Sequence, residues 1–260
     1  MKNGKKIIAI LPAYNAEKTL KKTVDDIPKD WIDDIILVDD ASSDNTVNLS
    51  RSLGLKTFVH KKNLGYGGNQ KTCYKEALRL GADVVVMVHP DHQYDPSNIP
   101  QAVLPIILNE ADAVFGSRMM IPRQALKGGM PLWKYIANIF LTRFSNFILK
   151  ANLTEYHSGF RAYSRKVLEL LPLEKNSNDF VFDAEIIVQT LNYGFRIKEI
   201  PIPTRYFKDA SSVNFRRSVI YGLSILWTLI KYILHQKNIK KFVLFSQQTP
   251  ITAQTNQNRL

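Results

Sequence analysis

An apolar run from Val84 to Val88 breaks abruptly into His89-Pro90-Asp91-His92-Gln93-Tyr94-Asp95-Pro96. A carboxylate, two imidazoles and a carboxamide placed this closely can hold a hard divalent cation carrying a diphosphate. Asp91 and Gln93 offer oxygen ligands for Mg²⁺ or Mn²⁺, and His89 offers a neutral nitrogen. The same residues also suit a plain polar turn in which Asp95-Pro96 opens the next helix. Three more segments carry usable chemistry: Leu11-Pro12-Ala13-Tyr14-Asn15-Ala16-Glu17, Val38-Asp39-Asp40-Ala41-Ser42-Ser43-Asp44 and Lys62-Asn63-Leu64-Gly65-Tyr66-Gly67-Gly68-Asn69. Asp39 and Asp40 offer acceptors for base N–H groups or ribose hydroxyls. Gly65, Gly67 and Gly68 lack the Cβ that keeps backbone away from a ligand. Each segment alone is ordinary turn composition; four in order are not.

These segments need a scaffold that brings them together. Strands are predicted at Lys6–Leu11, Asp34–Val38, Lys56–His60, Asp83–Val88 and Asp112–Gly116. Helices are predicted between them at Ala16–Ile27, Asp44–Leu53, Gly67–Leu80 and Ser97–Leu108. This alternation, with short connections, predicts an α/β fold with a doubly wound, mostly parallel sheet. The run Val84–Val88 reads as a strand buried on both faces. In such a sheet the loops after the strands share one edge, where ligands bind.

Beyond Arg118 the pattern changes. Met130 to Lys150 carries Trp133, Ile136, Phe140, Phe144, Phe147 and Ile148 at helical spacing, a face suited to core or to membrane. A loop at Tyr156–Arg161, a helix near Asp183–Leu191 and a strand at Arg196–Ile202 follow. Next come Arg216-Arg217 and the uncharged segment Ser218–Ile230, which is 13 residues long. That is shorter than the roughly 20 residues needed to span a bilayer. It suits a helix lying in the membrane interface, or one docked on the domain. Residues 246–260 are polar, and disorder is expected there.

The 260 residues are enough for one large domain with an appendage, and the single cysteine, Cys73, excludes an intrachain disulfide. The first apolar run is too short for a signal peptide, so a cytoplasmic location is expected. A net charge of +12 implies anionic partners. Without an arginine-rich tract interleaved with aromatics, nucleic acid is not among the expected ones.

Taken together, Pro12-Ala13-Tyr14-Asn15, Val38–Thr46, Asn63-Leu64-Gly65-Tyr66-Gly67, Gly116-Ser117-Arg118 and Ser158-Gly159-Phe160-Arg161-Ala162-Tyr163 carry a resemblance. The chain resembles the family 2 glycosyltransferases and, within them, the dolichol-phosphate mannose synthase-like enzymes that glycosylate polyprenyl phosphates. The resemblance runs from about Lys5 to Ser212. It implies a GT-A type, Rossmann-like domain over residues 1–212, an amphipathic helical region over 213–245 and a polar tail over 246–260. It implies a nucleotide-sugar site at Pro12, Ala13, Tyr14, Asn15, Glu17, Asp39, Asp40, Gly65 and Gly68, and a metal at Asp91 and Gln93. The family usually has Asp-x-Asp where this chain has His89-Pro90-Asp91. An imidazole at that position favours Mn²⁺ over Mg²⁺.

The acceptor sets what else the site needs. A hydroxyl acceptor requires a base, for which Asp183 and Glu185 are candidates; acids there also suit the first turn of a helix. A lipid phosphate is already an anion at neutral pH and requires cations instead. Arg118, Arg123, Arg161 and Arg205 lie where the resemblance places the acceptor, and the guanidinium fork matches phosphate. The expected reaction is a single inverting displacement by undecaprenyl or dolichyl phosphate on a UDP- or GDP-sugar. Asp91, Arg118 and Arg205 are the expected catalytic residues, Arg205 acting with the metal on the leaving diphosphate. The enzyme is expected to sit peripherally on the inner face of the membrane, directly or through an anchoring partner protein. The alternatives are a family 2 transferase using a sugar hydroxyl in surface polysaccharide synthesis, and a nucleotide-sugar-binding module without catalysis.

Overall fold

Every residue of β1 (Ile7–Ala13) is buried, as befits a strand with neighbours on both sides. The computed structural model describes residues 1–203 and 215–246. β1 pairs in parallel with β2 (Asp34–Asp39), which pairs in parallel with β3 (Lys56–Val59). On its other side β1 pairs in parallel with β4 (Val84–Met87). β5 (Ala113–Ser117) pairs in parallel with β7 (Ile197–Pro201). Between β4 and β5 lies β6 (Arg161–Ser164), antiparallel to both. Among the described residues the sheet has seven strands in the order β3-β2-β1-β4-β6-β5-β7.

The five strands predicted before residue 120 and the one near residue 200 are present, with ends shifted by a residue or two. β6 was not among the predicted strands and begins at Arg161, the last residue of the loop expected at Tyr156–Arg161. It is short and has no hydrophobic alternation of its own. The chain leaves the sheet at the carboxyl end of β5 and re-enters beside the end of β4, with Arg161 opposite Met87. Re-entry at the same edge makes β6 run backwards.

Alternate side chains of a strand point to opposite faces. Ile8 and Ile10 join one apolar cluster, while Ile7, Ala9 and Leu11 join the other. The second cluster is covered by α1 (Glu17–Asp25), through Leu20 and Val24, and, beyond α2 (Thr46–Ser52) and α3 (Tyr66–Arg79), by α4 (Ile99–Ile107). The first is covered by α3 and by α8 (Phe182–Asn192), which follows α5 (Gln124–Lys127), α6 (Leu132–Leu149) and α7 (Arg165–Leu170).

α9 spans Phe215–Gln236, 22 residues, and is longer than its uncharged segment implied. By length and composition alone Arg216–Gln236 is sufficient to cross a membrane, which revises the expectation that this segment is too short. Its packing ties it to the domain: Ile225, Thr228 and Leu229 are buried, and Lys231 pairs with Glu185 at 3.2 Å. The expected tail over 246–260 lies, apart from Ser246, outside the described residues.

Candidate active site

The carboxyl ends of β1, β2 and β4 lie side by side, so the segments after them meet at one edge of the sheet. His89 and Asp91 follow β4. The His89 ring stacks on Tyr66 with centroids 5.6 Å apart, and its Nε2 is 3.3 Å from the Tyr66 hydroxyl. Burial lowers the His89 pKa despite the opposing pull of Asp91 and Asp183, so the ring is held neutral. Gly159 makes room for it, since a Cβ there would collide with the imidazole. Asp91 accepts the Gln93 amide at 3.0 Å. His89, Asp91 and Gln93 line a common cavity. His92 is not part of that group: its Nε2 meets Asp26 at 2.7 Å, pinning the loop to α1.

The loops after β1 and β2 are stitched together. Asn15, at φ 51°, accepts the Ser43 amide at 2.9 Å, and Asp44 accepts the Glu17 amide at 3.1 Å. Tyr14, Asn15 and Glu17 are exposed, whereas the side chains of Pro12 and Ala13 are buried in the strand. One oxygen of Asp39 accepts the Ser42 amide at 2.9 Å; the other is buried without a protein partner. A buried orphan of that kind is costly unless a ligand donates to it.

Asp40 has a different task from the one expected. Its carboxylate binds His60 Nδ1 at 2.7 Å and accepts the amides of Leu64 and Gly65 at 2.8 and 3.0 Å. It shapes the β3–α3 loop, with both of its oxygens engaged by protein groups. At the glycines, too, protein takes up the neighbouring space. A Cβ on Gly65 would lie 2.6 Å from the Asn178 carbonyl, and one on Gly68 would lie 2.9 Å from Leu64. What approaches Gly65 closely is the segment before α8, and what approaches Gly68 is its own loop.

The cavity, about 540 Å³, opens between the His89–Gln93 loop and the helices α6 and α9. Arg118, Lys134, His157 and Asp183 add polar groups to its lining, and Trp133, Phe140, Leu141, Val219 and Leu223 add apolar ones. Arg118 is held by Glu155, which accepts its backbone amide at 2.7 Å and its Nε at 2.8 Å. Burial alone would raise the Glu155 pKa; the Arg118 charge and hydrogen bonds outweigh it and hold the carboxyl below its ordinary value. Burial lowers His157 to about 4, so this imidazole is neutral.

Arg161 departs from the expectation that it reaches an acceptor. It is 1% exposed, and its guanidinium donates to the carbonyls of Ser158 and Asp183 at 2.8 and 2.9 Å. It also pairs with the Asp183 carboxylate at 3.3 Å. Arg123 is exposed at the start of α5 and does not line the cavity. Arg205 lies outside the described residues.

The comparisons with known proteins bear on a site of this geometry. Residues 8–171 match the family model described as Glycosyl transferase family 2, well over half of the chain. The chain belongs to glycosyl transferase family 2. This glycosyltransferase is 31% identical over 246 residues to the UDP-N-acetylglucosamine–dolichyl-phosphate N-acetylglucosaminyltransferase of Methanococcus voltae, covering 87% of this chain and 95% of that one. It is 26% identical over 207 residues to the undecaprenyl-phosphate mannosyltransferase of Micrococcus luteus, covering 76% and 82%. Among solved structures, glucosyl-3-phosphoglycerate synthase from Mycobacterium tuberculosis, in complex with Mn²⁺, UDP and glucosyl-3-phosphoglycerate, superposes with a TM-score of 0.68 at 17% identity, covering 88% of this chain and 80% of that one. That likeness is one of fold, and the fold is of the GT-A type.

Three groups that line this transferase's cavity, Tyr66, Lys134 and His157, carry no functional signal in the sequence, nor does Glu155, which acts on the cavity only through Arg118. Tyr66 was visible only as a letter between glycines. Glu155 and His157 precede the Ser158–Tyr163 motif and carry no spacing signal of their own. Glu185, a candidate base, is spent on Lys231 at 3.2 Å and on the Ser177 amide at 2.6 Å.

Proposed function

We propose that this glycosyltransferase moves a sugar from a UDP- or GDP-sugar to a polyprenyl phosphate, with inversion at the anomeric carbon. The observation that carries the reading is the cavity, whose cationic and polar end continues into walls of Trp, Phe, Leu and Val from α6 and α9. A phosphate on a long hydrocarbon chain matches both halves. A sugar hydroxyl acceptor matches neither the apolar walls nor the available acids, because both candidate bases are already engaged.

Asp39, with its unpartnered buried oxygen, takes an N–H of the base or a ribose hydroxyl; Asn15 and Glu17 lie beside it. Asp91, Gln93 and His89 fit a divalent cation that a diphosphate completes. Among the described residues no group of three or more acidic, imidazole or thiolate side chains forms a ready-made cage. A cation held by one carboxylate and the substrate's own oxygens is common for Mg²⁺. When bound, Mg²⁺ or Mn²⁺ neutralises charge on the departing diphosphate. Arg118 and Lys134 hold the acceptor phosphate against the repulsion of the donor. The phosphate oxygen attacks the anomeric carbon, the sugar–diphosphate bond breaks, and no proton has to be removed. Arg205 keeps its expected role at the leaving group.

The catalytic domain is residues 1–212 and the helical region 213–245. The transferase works at the inner face of the membrane, where α9 lies against the lipid, peripherally or with an anchoring partner. The reading is tested by offering polyprenyl phosphate and the unphosphorylated polyprenol of equal length. Glycosylation of the phosphate alone supports it; glycosylation of the alcohol sinks it.

A further inference from the structure

His89 has two ring nitrogens, and a cation can take only the one without a proton. Tyr66 decides which one that is. A phenol has a single hydrogen to give, and that of Tyr66 goes to Asp183, whose carboxylate lies 2.8 Å from the hydroxyl. A carboxylate paired with an arginine, as Asp183 is with Arg161, only accepts, so this bond has one direction. The contact of 3.3 Å between the same hydroxyl and His89 Nε2 therefore has the imidazole as donor. The proton of the neutral ring sits on Nε2, and Nδ1 keeps its lone pair. Packing agrees. A Cβ on Gly159 would collide with Nε2, so backbone closes off that side of the ring. His89 lines the cavity with Asp91, and among the described residues its Nδ1 has no hydrogen-bond partner.

We infer that Asp183 and Tyr66 are positioning residues for the metal: they fix the tautomer of His89 and present its Nδ1 to the cation that Asp91 binds. This rests on the cation reading of the site and deepens it. An imidazole whose second nitrogen donates to a fixed partner is oriented and made more basic as a ligand. The partner here is a phenol that is itself held at both ends. Phe180 packs on the Tyr66 ring with centroids 4.8 Å apart, and Asp183 is fixed by Gln70 at 3.1 Å and by Arg161 at 3.3 Å. Without the Tyr66 hydroxyl the ring is free to carry its proton on Nδ1, facing the metal. The preference of imidazole for Mn²⁺ over Mg²⁺ then depends on this brace as well as on His89.

The test uses the full chain, freed of metal and labelled with ¹⁵N in its histidines. Long-range proton–nitrogen correlations show which nitrogen is protonated in each of the five histidines, and His89→Asp identifies the His89 signals by their loss. The wild type should show Nε2 protonated and Nδ1 bare. A proton on Nδ1 overturns the inference, whether or not any variant folds. Mn²⁺ binding is then read by electron paramagnetic resonance with UDP, and again with GDP, in the absence of acceptor. Tyr66→Phe keeps the ring and removes the hydroxyl, and should weaken Mn²⁺ binding by about 10–100-fold, the range for losing the partner of a ligand histidine. In the His89→Asp chain the same substitution should change the affinity by about twofold or less, because a carboxylate has no tautomer to fix. Equal losses in the two backgrounds would show that Tyr66 supports the loop rather than the imidazole, and would overturn the inference. So would undiminished affinity in Tyr66→Phe. A wild type that binds Mn²⁺ with neither nucleotide overturns the cation site and the brace together. Failure to glycosylate a lipid phosphate touches neither, since no acceptor is present.

Discussion

The hydroxyl of Tyr66, at the start of α3, donates to Asp183, in the first turn of α8, at 2.8 Å. Gln70 donates to the same carboxylate at 3.1 Å and Arg161 pairs with it at 3.3 Å. Three donors converge on one buried acid, and this makes Asp183 a clamp between helices rather than an acceptor of protons from substrate. Asp183→Asn leaves the Arg161 cation buried without a counter-charge, which costs about 3–5 kcal/mol. Thermal melting should fall by about 10 °C. The variant, assayed well below its melting temperature, should keep at least a tenth of the wild-type rate. A true base would forfeit about 100-fold or more.

Asp91 is the single carboxylate among the groups proposed to hold the cation. Asp91→Ala should reduce turnover by about 100-fold or more, the scale of several kcal/mol of lost charge stabilisation. Titrating Mn²⁺ against the residual rate checks the cause, since the apparent metal affinity should fall with it.

His89 offers a reciprocal test. His89→Asp restores the two-acid arrangement and replaces nitrogen by oxygen. The ratio of rates with Mn²⁺ and Mg²⁺ should move toward Mg²⁺, because imidazole suits the softer ion and carboxylate the harder one. An unchanged ratio would remove His89 from the ligand set.

Arg118 is positioned by Glu155, so truncating it would orphan a buried acid. Arg118→Lys keeps the charge and discards the fork. The acceptor KM should rise by about tenfold, the value of one charge-assisted hydrogen bond, with kcat changed less. Initial rates against acceptor concentration separate the two.

His157 gives the stability a pH dependence. Its folded pKa of about 4 lies below its ordinary 6.5 because burial, reinforced by Arg118 and Arg161, outweighs Glu155 and Asp183. Between those two values the unfolded chain binds more protons, so stability drops as pH falls from 6.5 toward 4. The loss from pH 7 to pH 5 should be about 2 kcal/mol by urea denaturation, and His157→Gln should flatten it. Glu155 adds a further loss at lower pH, where its depressed carboxyl finally takes up a proton.

The sheet was legible because its central strands β1, β4 and β5 are buried on both faces and its strands are bounded by turn residues. β6 was not, because its four residues owe their strand to the gap between β4 and β5. At the site, Asp39 and Asp91 were readable as acids following apolar runs. The structural contacts of Asp40 and the glycines were not readable, because spacing does not reveal what fills the space beside a residue. Beside Gly65 and Gly67 a loop 110 or so positions onward does so, through the Asn178 carbonyl accepting the Gly67 amide at 2.8 Å. Arg161 belongs to the same class. An arginine in a motif looks like a phosphate ligand until its carbonyl partners are visible.

The central claim is transfer to a lipid phosphate. The direct measurement incubates the purified chain with radiolabelled UDP- and GDP-sugars, Mn²⁺ or Mg²⁺, and undecaprenyl or dolichyl phosphate. The account predicts label that partitions into organic solvent and is released by mild acid, with one donor favoured. Donor that binds but leaves no label in the lipid, whatever the metal, would contradict it.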